Sequence, residues 1–222
     1  MERITDRRDR SCELIFVRHA QARHPRGTYG ADTPLTALGR DQAQAMAEGL
    51  RGSDVAALYS SPFVRARETA QPIGEALGLA PVEDDRLREL ECMHEDEVWH
   101  GPTISDRIIR AWRADDEVYS GMERRRDFAG RVAESVQEIA ERHVGDRVMV
   151  VGHGGTVDAA VRWLAGVEAS AAWQHFLSVP NASVTRVRYW PTGYAKGGPP
   201  RYAMIVAAGD VSHLPEHLRS EH

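Results

Sequence analysis

Two short apolar runs constrain this chain most: Leu14-Ile-Phe-Val17 and Val148-Met-Val-Val151 each lead into a polar pair, Arg18-His19 and Gly152-His153. Such runs read as buried strands, and a strand buried on both faces needs helices on both sides of its sheet. Helical segments fall between them. Thr36 to Leu50 has a threonine to cap it and glycines 49 and 52 at its close. Ser61-Pro62 to Leu77 reads as a helix with a serine cap and proline in its first position, stopped by Gly78. Gly121 to His143 carries Phe128, Val132, Val136 and Ile139 at helical spacing before Gly145, and another helix runs from Gly154 through Trp163.

Val55 to Tyr59 reads as a further strand. Ser183 to Trp190 and Arg201 to Ala208, joined by the Gly193 to Pro200 loop, read as late strands, antiparallel or at an edge. Strands alternating with helices predict an α/β fold: a three-layer αβα sandwich around a mostly parallel sheet with an antiparallel edge strand. The chain's 222 residues suit one domain, expected over 13–222, after a flexible N-terminal tail over 1–12 whose arginines alternate with acids.

Composition excludes several function classes. A net charge of -5 argues against nucleic-acid binding, and no stretch reaches the roughly 20 apolar residues of a membrane span. The two cysteines, Cys12 and Cys92, lack zinc or redox spacing, and two free thiols suit a reducing cytoplasm. A cytoplasmic protein is expected, with no cofactor; a homodimer is compatible with such a domain.

In a parallel sheet, ligands gather at the carboxyl ends of the strands, where both His19 and His153 arrive. A histidine at a strand end is as often structural as functional. Arg18 adds a planar fork of donors suited to phosphate or carboxylate. The glycines around His153 let backbone N–H groups approach an anion at a helix start. Arg65 falls in the first turn of its helix, close to a strand end, whereas Arg67 points elsewhere, toward an acid or solvent. The stretch Asp85-Arg-Leu-Arg-Glu89-Leu-Glu91 offers carboxylates, any one of which is ordinarily a surface charge.

Together and in order, Leu14-Ile-Phe-Val-Arg18-His19, Tyr59-Ser-Ser-Pro with Arg65 and Thr69, Leu87-x-Glu89 and Val-Val-Gly-His153-Gly-Gly resemble the histidine phosphatase superfamily in its phosphoglycerate-mutase-like branch. The resemblance spans about Glu13 to Ala165, and Asn181-Ala-Ser-Val is similar to a later family segment. It implies that His19 is the phosphorylated nucleophile, Glu89 the general acid and base, and His153 the second histidine. Arg18, Arg65, Gln21 and Gly154 would bind the substrate phosphate, with no metal. The implied partner is a small phosphorylated metabolite. Glu123 and Arg131, after Gly121, resemble a further short pattern that a cap or salt bridge explains equally well.

The implied roles make chemical sense. A neutral imidazole can attack phosphorus when its other nitrogen donates a fixing hydrogen bond. Arg18, Arg65 and a protonated His153 would balance the charge on the equatorial oxygens. Glu89 would protonate the leaving alkoxide and then activate water. Two departures from the family concern the substrate: Ala20 replaces the usual glycine, and Gln21 a frequent glutamate.

Three rivals stand beside a phosphatase. A mutase usually carries a longer segment between the acid and the second histidine, and asparagine where this chain has Gly155. A non-catalytic phosphate-binding relative would not need the full charged set. A metal site would use His94, Glu95, Asp96, Glu97 and His100, but Val98 breaks the helical zinc pattern, and an acidic loop is preferred. Arg23, His24, Arg26, Arg86, Arg88, His94 and Trp99 flank the site as candidate substrate contacts, and Trp112, Trp163 and Trp173 are expected to pack.

Overall fold

A computed structural model describes residues 10–23, 30–90, 110, 114–115, 117, 122–169, 177, 179–193 and 202–220. In chain order the elements are β1 (Cys12–Arg18), α1 (Ala37–Gly49), β2 (Ala57–Ser60), α2 (Val64–Leu77), β3 (Val82–Glu83), α3 (Arg125–Arg142), β4 (Arg147–Gly152), α4 (Gly154–Leu164), β5 (Val184–Trp190) and β6 (Tyr202–Asp210). The six strands form one sheet in the order β3-β2-β4-β1-β5-β6. Strands β3, β2, β4 and β1 pair in parallel, and β5 runs antiparallel to both its neighbours. The antiparallel strand is thus β5, one place inside the edge that β6 forms.

The apolar runs explain the layers. Leu14 and Phe16 of β1, with Val148 and Val150 of β4, join a core with Phe128, Val132 and Val136 of α3 and Val157 and Ala160 of α4. The intervening residues Ile15, Val17, Met149 and Val151 face a second core with Ala43 and Met46 of α1 and Ala66, Ala70 and Ile73 of α2. Successive side chains of a strand point to opposite faces, so a run with no polar member must be covered twice. Each fully buried Leu or Phe contributes roughly 1.5–3 kcal/mol relative to exposure. Trp163 packs, as expected, against the first core, its ring 5.6 Å from that of Tyr189.

Several boundaries differ from the expected ones. β1 begins at Cys12, a fully buried residue that the sequence grouped with the tail; burial pushes its thiol up to about 12. Helix α2 begins at Val64 rather than Ser61, and its cap, Phe63, makes no side-chain bond. Pro62 and Phe63 instead form the bend that leaves β2, and the Phe63 amide donates to Ser61 Oγ at 3.3 Å. Helix α3 starts at Arg125. Thr36 caps α1 as expected, accepting from the Gly39 amide at 3.0 Å. No described helix is long and apolar enough to cross a membrane.

Candidate active site

The neighbouring strands β2, β4 and β1 all end at the same edge of the sheet. Their pairing carries past the strands, with the His19 amide donating to the Gly152 carbonyl at 2.8 Å and the Ser61 amide to the Val151 carbonyl at 2.9 Å. This brings His19, His153 and Ser61 together. The two imidazoles meet edge to face, ring centres 5.2 Å apart.

His19 is only 6 % exposed and its tautomer is fixed. Its Nδ1 lies 2.7 Å from the Ala20 carbonyl, an acceptor only, so Nδ1 carries the proton. Nε2 therefore presents a lone pair, which accepts from Arg65 Nε at 3.2 Å. Burial first, then the Arg65 and Arg18 charges, hold His19 well below its usual value of 6.5. It is a neutral imidazole in the resting pocket.

The surrounding chain grips this histidine from behind. Its carbonyl accepts from Asn181 Nδ2 at 3.3 Å and the Ala182 amide at 3.2 Å, and Ala182 takes a left-handed φ of 54° to make that turn. The next amide, Ala20 N–H, donates to Thr69 Oγ1 at 3.0 Å. Ala20 has an ordinary negative φ and its methyl is buried in the α1–α2 core, so the missing glycine costs nothing there. Helix α1 approaches the same loop so closely that a Cβ on Gly39 would sit 2.0 Å from the Gln21 carbonyl oxygen.

Arg65 bridges His19 and the Gly30 carbonyl (2.8 Å), with its guanidinium 5.1 Å from the centre of the Phe63 ring. Arg18 donates to the Val179 carbonyl and lies over Gly154, whose Cβ position is 3.8 Å from Arg18 Nε. His153 is fully buried; its Nε2 is 2.8 Å from Ser61 Oγ, and its Nδ1 has no hydrogen-bond partner among the described residues. Burial, then Arg65, His19 and Arg18, also hold His153 well below 6.5. His153 is thus neutral in the resting site, before any phosphate is present to draw a proton to it. The positive charge belongs to the two arginines.

Glu89 reaches the same place from the loop after β3. One carboxylate oxygen accepts from the Gly155 amide and the other from the Leu90 amide, both at 2.9 Å. The anion at the start of α4 is therefore the protein's own acid. A Cβ at position 155 would lie 2.3 Å from Glu89 Oε1, so glycine there admits the carboxylate. Replacing Gly155 with Ala should push this flexible carboxylate aside and leave the fold intact. The expected result is a displaced carboxylate with stability changed by less than about 0.5 kcal/mol in chemical denaturation.

Other candidates are placed elsewhere. The Gln21 side-chain oxygen accepts from Thr36 Oγ1 at 2.7 Å, tying it to the start of α1. Arg86 forks onto Asp84 (3.0 and 2.9 Å) and reaches Glu138, and Arg88 pairs with Asp85. Arg67 lies 3.9 Å from Glu83, half exposed, as expected. Arg23 is exposed. His24, Arg26, Cys92, His94 to His100, Trp112, Gly121 and Trp173 lie outside the described residues. The sequence reading used Ser61 only as a helix cap and Asn181 only as a familiar segment; their contacts with His153 and His19 are long-range and leave no local signal.

With this geometry in view, known proteins are informative. The model of the histidine phosphatase superfamily (branch 1) matches residues 14–196. The chain belongs to this superfamily. It is an enzyme of the histidine phosphatase type. The probable phosphoglycerate mutase GpmB of Klebsiella pneumoniae is 32% identical over 216 residues, covering 91% of this chain and 94% of that protein. Among solved structures, mycobacterial hydrolase 2 superposes with a TM-score of 0.74 at 28% identity, over 94% of this chain and 95% of that one. The mycobacterial glucosyl-3-phosphoglycerate phosphatase gives a TM-score of 0.67 at 30% identity, covering 88% of this chain and 98% of that one.

The two buried imidazoles of this histidine phosphatase have a measurable consequence. Unfolded, they take up protons near pH 6.5; folded, they resist protonation to well below that value. The unfolded state binds more protons in that window, so stability falls as pH drops from 6.5 toward the folded-state values. Each histidine adds a slope of up to about 1.4 kcal/mol per pH unit. Denaturation in phosphate-free buffer should therefore show a shallower acid slope for His153→Gln than for the native chain. Equal slopes would contradict the assignment of a neutral His153.

Proposed function

We propose that this protein is a metal-independent phosphomonoester phosphatase that acts through a phosphohistidine at His19 on a small phosphorylated metabolite in the cytoplasm. The observation that carries the reading is the His19 ring itself: Nδ1 tied to the Ala20 carbonyl, and Nε2 turned toward Arg65 as a free base. On substrate binding, Arg65 passes from Nε2 to the phosphate, releasing the lone pair toward phosphorus. Arg18 and the His153 Nδ1 position bind the remaining phosphoryl oxygens, and a dianion there favours proton uptake by His153.

The ester binds as its monoanion and passes its proton to Glu89; as Nε2 bonds to phosphorus, the P–O ester bond breaks and the leaving oxygen takes that proton from Glu89. Glu89 then accepts a proton from water, whose oxygen attacks the phosphohistidine. The P–N bond breaks, inorganic phosphate leaves, and the imidazole is restored. Each oxygen of the Glu89 carboxylate gives one lone pair to a backbone amide and keeps another for this proton. The arginines supply the charge stabilisation that a metal would otherwise give, so dialysis against a chelator is expected to leave activity unchanged.

Similarity to the probable phosphoglycerate mutase supports a second reading, transfer of the phosphoryl group back to the substrate. Water must reach Glu89 for hydrolysis, and Gly155 adds no side chain beside it. A single turnover separates the readings: the phosphatase releases inorganic phosphate, whereas a mutase returns an isomerised ester.

A further inference from the structure

Glu89 sits on a short strap that follows β3; Ser135 and Glu138 of α3 hold its start through Asp84 and Arg86, and Arg131 of α3 holds the part nearest Glu89. Arg131 donates from one terminal nitrogen to the carbonyls of Arg86 (2.7 Å) and Arg88 (2.8 Å), and from the other to that of Glu89 (3.3 Å). The guanidinium is itself held by Glu123 in a two-bond fork of 2.6 and 2.7 Å. Its flat face lies 4.8 Å from the centre of the Phe128 ring, which is fully buried. Arg131 and Glu123 are only 15% and 24% exposed, so solvent competes weakly for these bonds.

We infer that Arg131, oriented by Glu123, is a positioning residue that sets the location of the Glu89 carboxylate against the leaving group. This rests on the reading of Glu89 as the general acid. The geometry separates this role from ordinary packing. Strap residues Arg86, Arg88 and Glu89 present their carbonyls to one guanidinium, and Glu89 then spans from the last of them to the Gly155 amide. Thr156 Oγ1 supports the strap from the other side, 3.2 Å from the Leu87 carbonyl. Loss of the Arg131 fork frees the carbonyls of Arg88 and Glu89 from α3, while the bonds of Asp84 and Arg86 still hold the start of the strap. A carboxylate displaced by about 1 Å transfers its proton less well, with losses of up to roughly 100-fold.

A lysine has one donor centre and cannot hold Glu123 and the strap carbonyls together. The test compares Arg131→Lys, Glu123→Gln and Glu89→Gln on two esters, glycerol phosphate and para-nitrophenyl phosphate. The alkoxide of the first needs a proton, whereas nitrophenolate leaves without one. Arg131→Lys and Glu123→Gln are expected to lower the single-turnover rate of phosphoryl transfer from glycerol phosphate roughly 10- to 100-fold, with ester affinity and the rate of the nitrophenolate burst within about threefold of the native enzyme. In the Arg131→Lys/Glu89→Gln double variant the loss should not exceed that of Glu89→Gln alone, because the two act through one carboxylate. Equal losses in the phosphoryl-transfer step on both esters, or multiplicative losses in the double variant, would overturn the inference. If Glu89→Gln itself fails to discriminate the esters, the reading of Glu89 falls and the inference falls with it. If Glu89→Gln discriminates and the Arg131 and Glu123 variants do not, the inference alone falls.

Discussion

Replacing His19 with alanine is expected to reduce phosphate release from every phosphomonoester by at least about 10⁴-fold, to near the background of the buffer. The size follows from the absence of a substitute. His153, the other imidazole of the pocket, has Nε2 engaged by Ser61 and stands behind a ring centre 5.2 Å away. Ser61 is fully buried beneath it. The variant should nevertheless fold, since His19 lies after β1 and its backbone bonds to Gly152, Asn181 and Ala182 do not involve the side chain. Inorganic phosphate should still bind through Arg18 and Arg65. Residual activity within tenfold of the native enzyme would exclude a nucleophilic His19.

Glu89→Gln is expected to show a second large effect of different character. The glutamine side chain keeps the shape and can hold one backbone bond, but it cannot carry a proton to the departing oxygen. Alkyl ester turnover should fall by roughly 10²–10⁴-fold, the usual range for general acid assistance. The para-nitrophenyl ester, which leaves without protonation, should lose far less in the phosphorylation step. Its remaining deficit should lie in hydrolysis of the phosphohistidine, visible as a burst of nitrophenolate followed by slow turnover. Equal loss on both esters with no burst would remove Glu89 from proton transfer.

The frame of the molecule was legible because its apolar patterns are local. Leu14 to Val17 and Val148 to Val151 are apolar at every position, and this alone requires helices on both faces, as the two cores show. Thr36 as a cap likewise needs only its own neighbourhood. The start of α2 was misplaced because Ser61-Pro62 carries a genuine cap signature, whereas the serine hydroxyl accepts only from the Phe63 amide ahead of the helix and is otherwise engaged by His153, 92 residues away. The same limit applies to charge. Arg86 and Arg88 beside Glu89 looked available for a substrate, but Asp84, Glu138 and Asp85 engage them. The low basicity of His153 in the resting site was not legible because its sequence neighbours are glycines. Its depressed basicity comes from complete burial and from Arg65, which packing brings close.

The central claim is that His19 Nε2 carries the phosphoryl group during turnover. A phosphorus–nitrogen bond on imidazole survives alkali and is cleaved by acid, so a rapid alkaline quench of enzyme turning over para-nitrophenyl phosphate preserves it. Peptide mapping by mass spectrometry should then find a phosphoryl adduct on the peptide containing His19, lost on acid treatment and enriched in Glu89→Gln. An active enzyme that shows no adduct under these conditions, or carries it on another residue, would contradict the account.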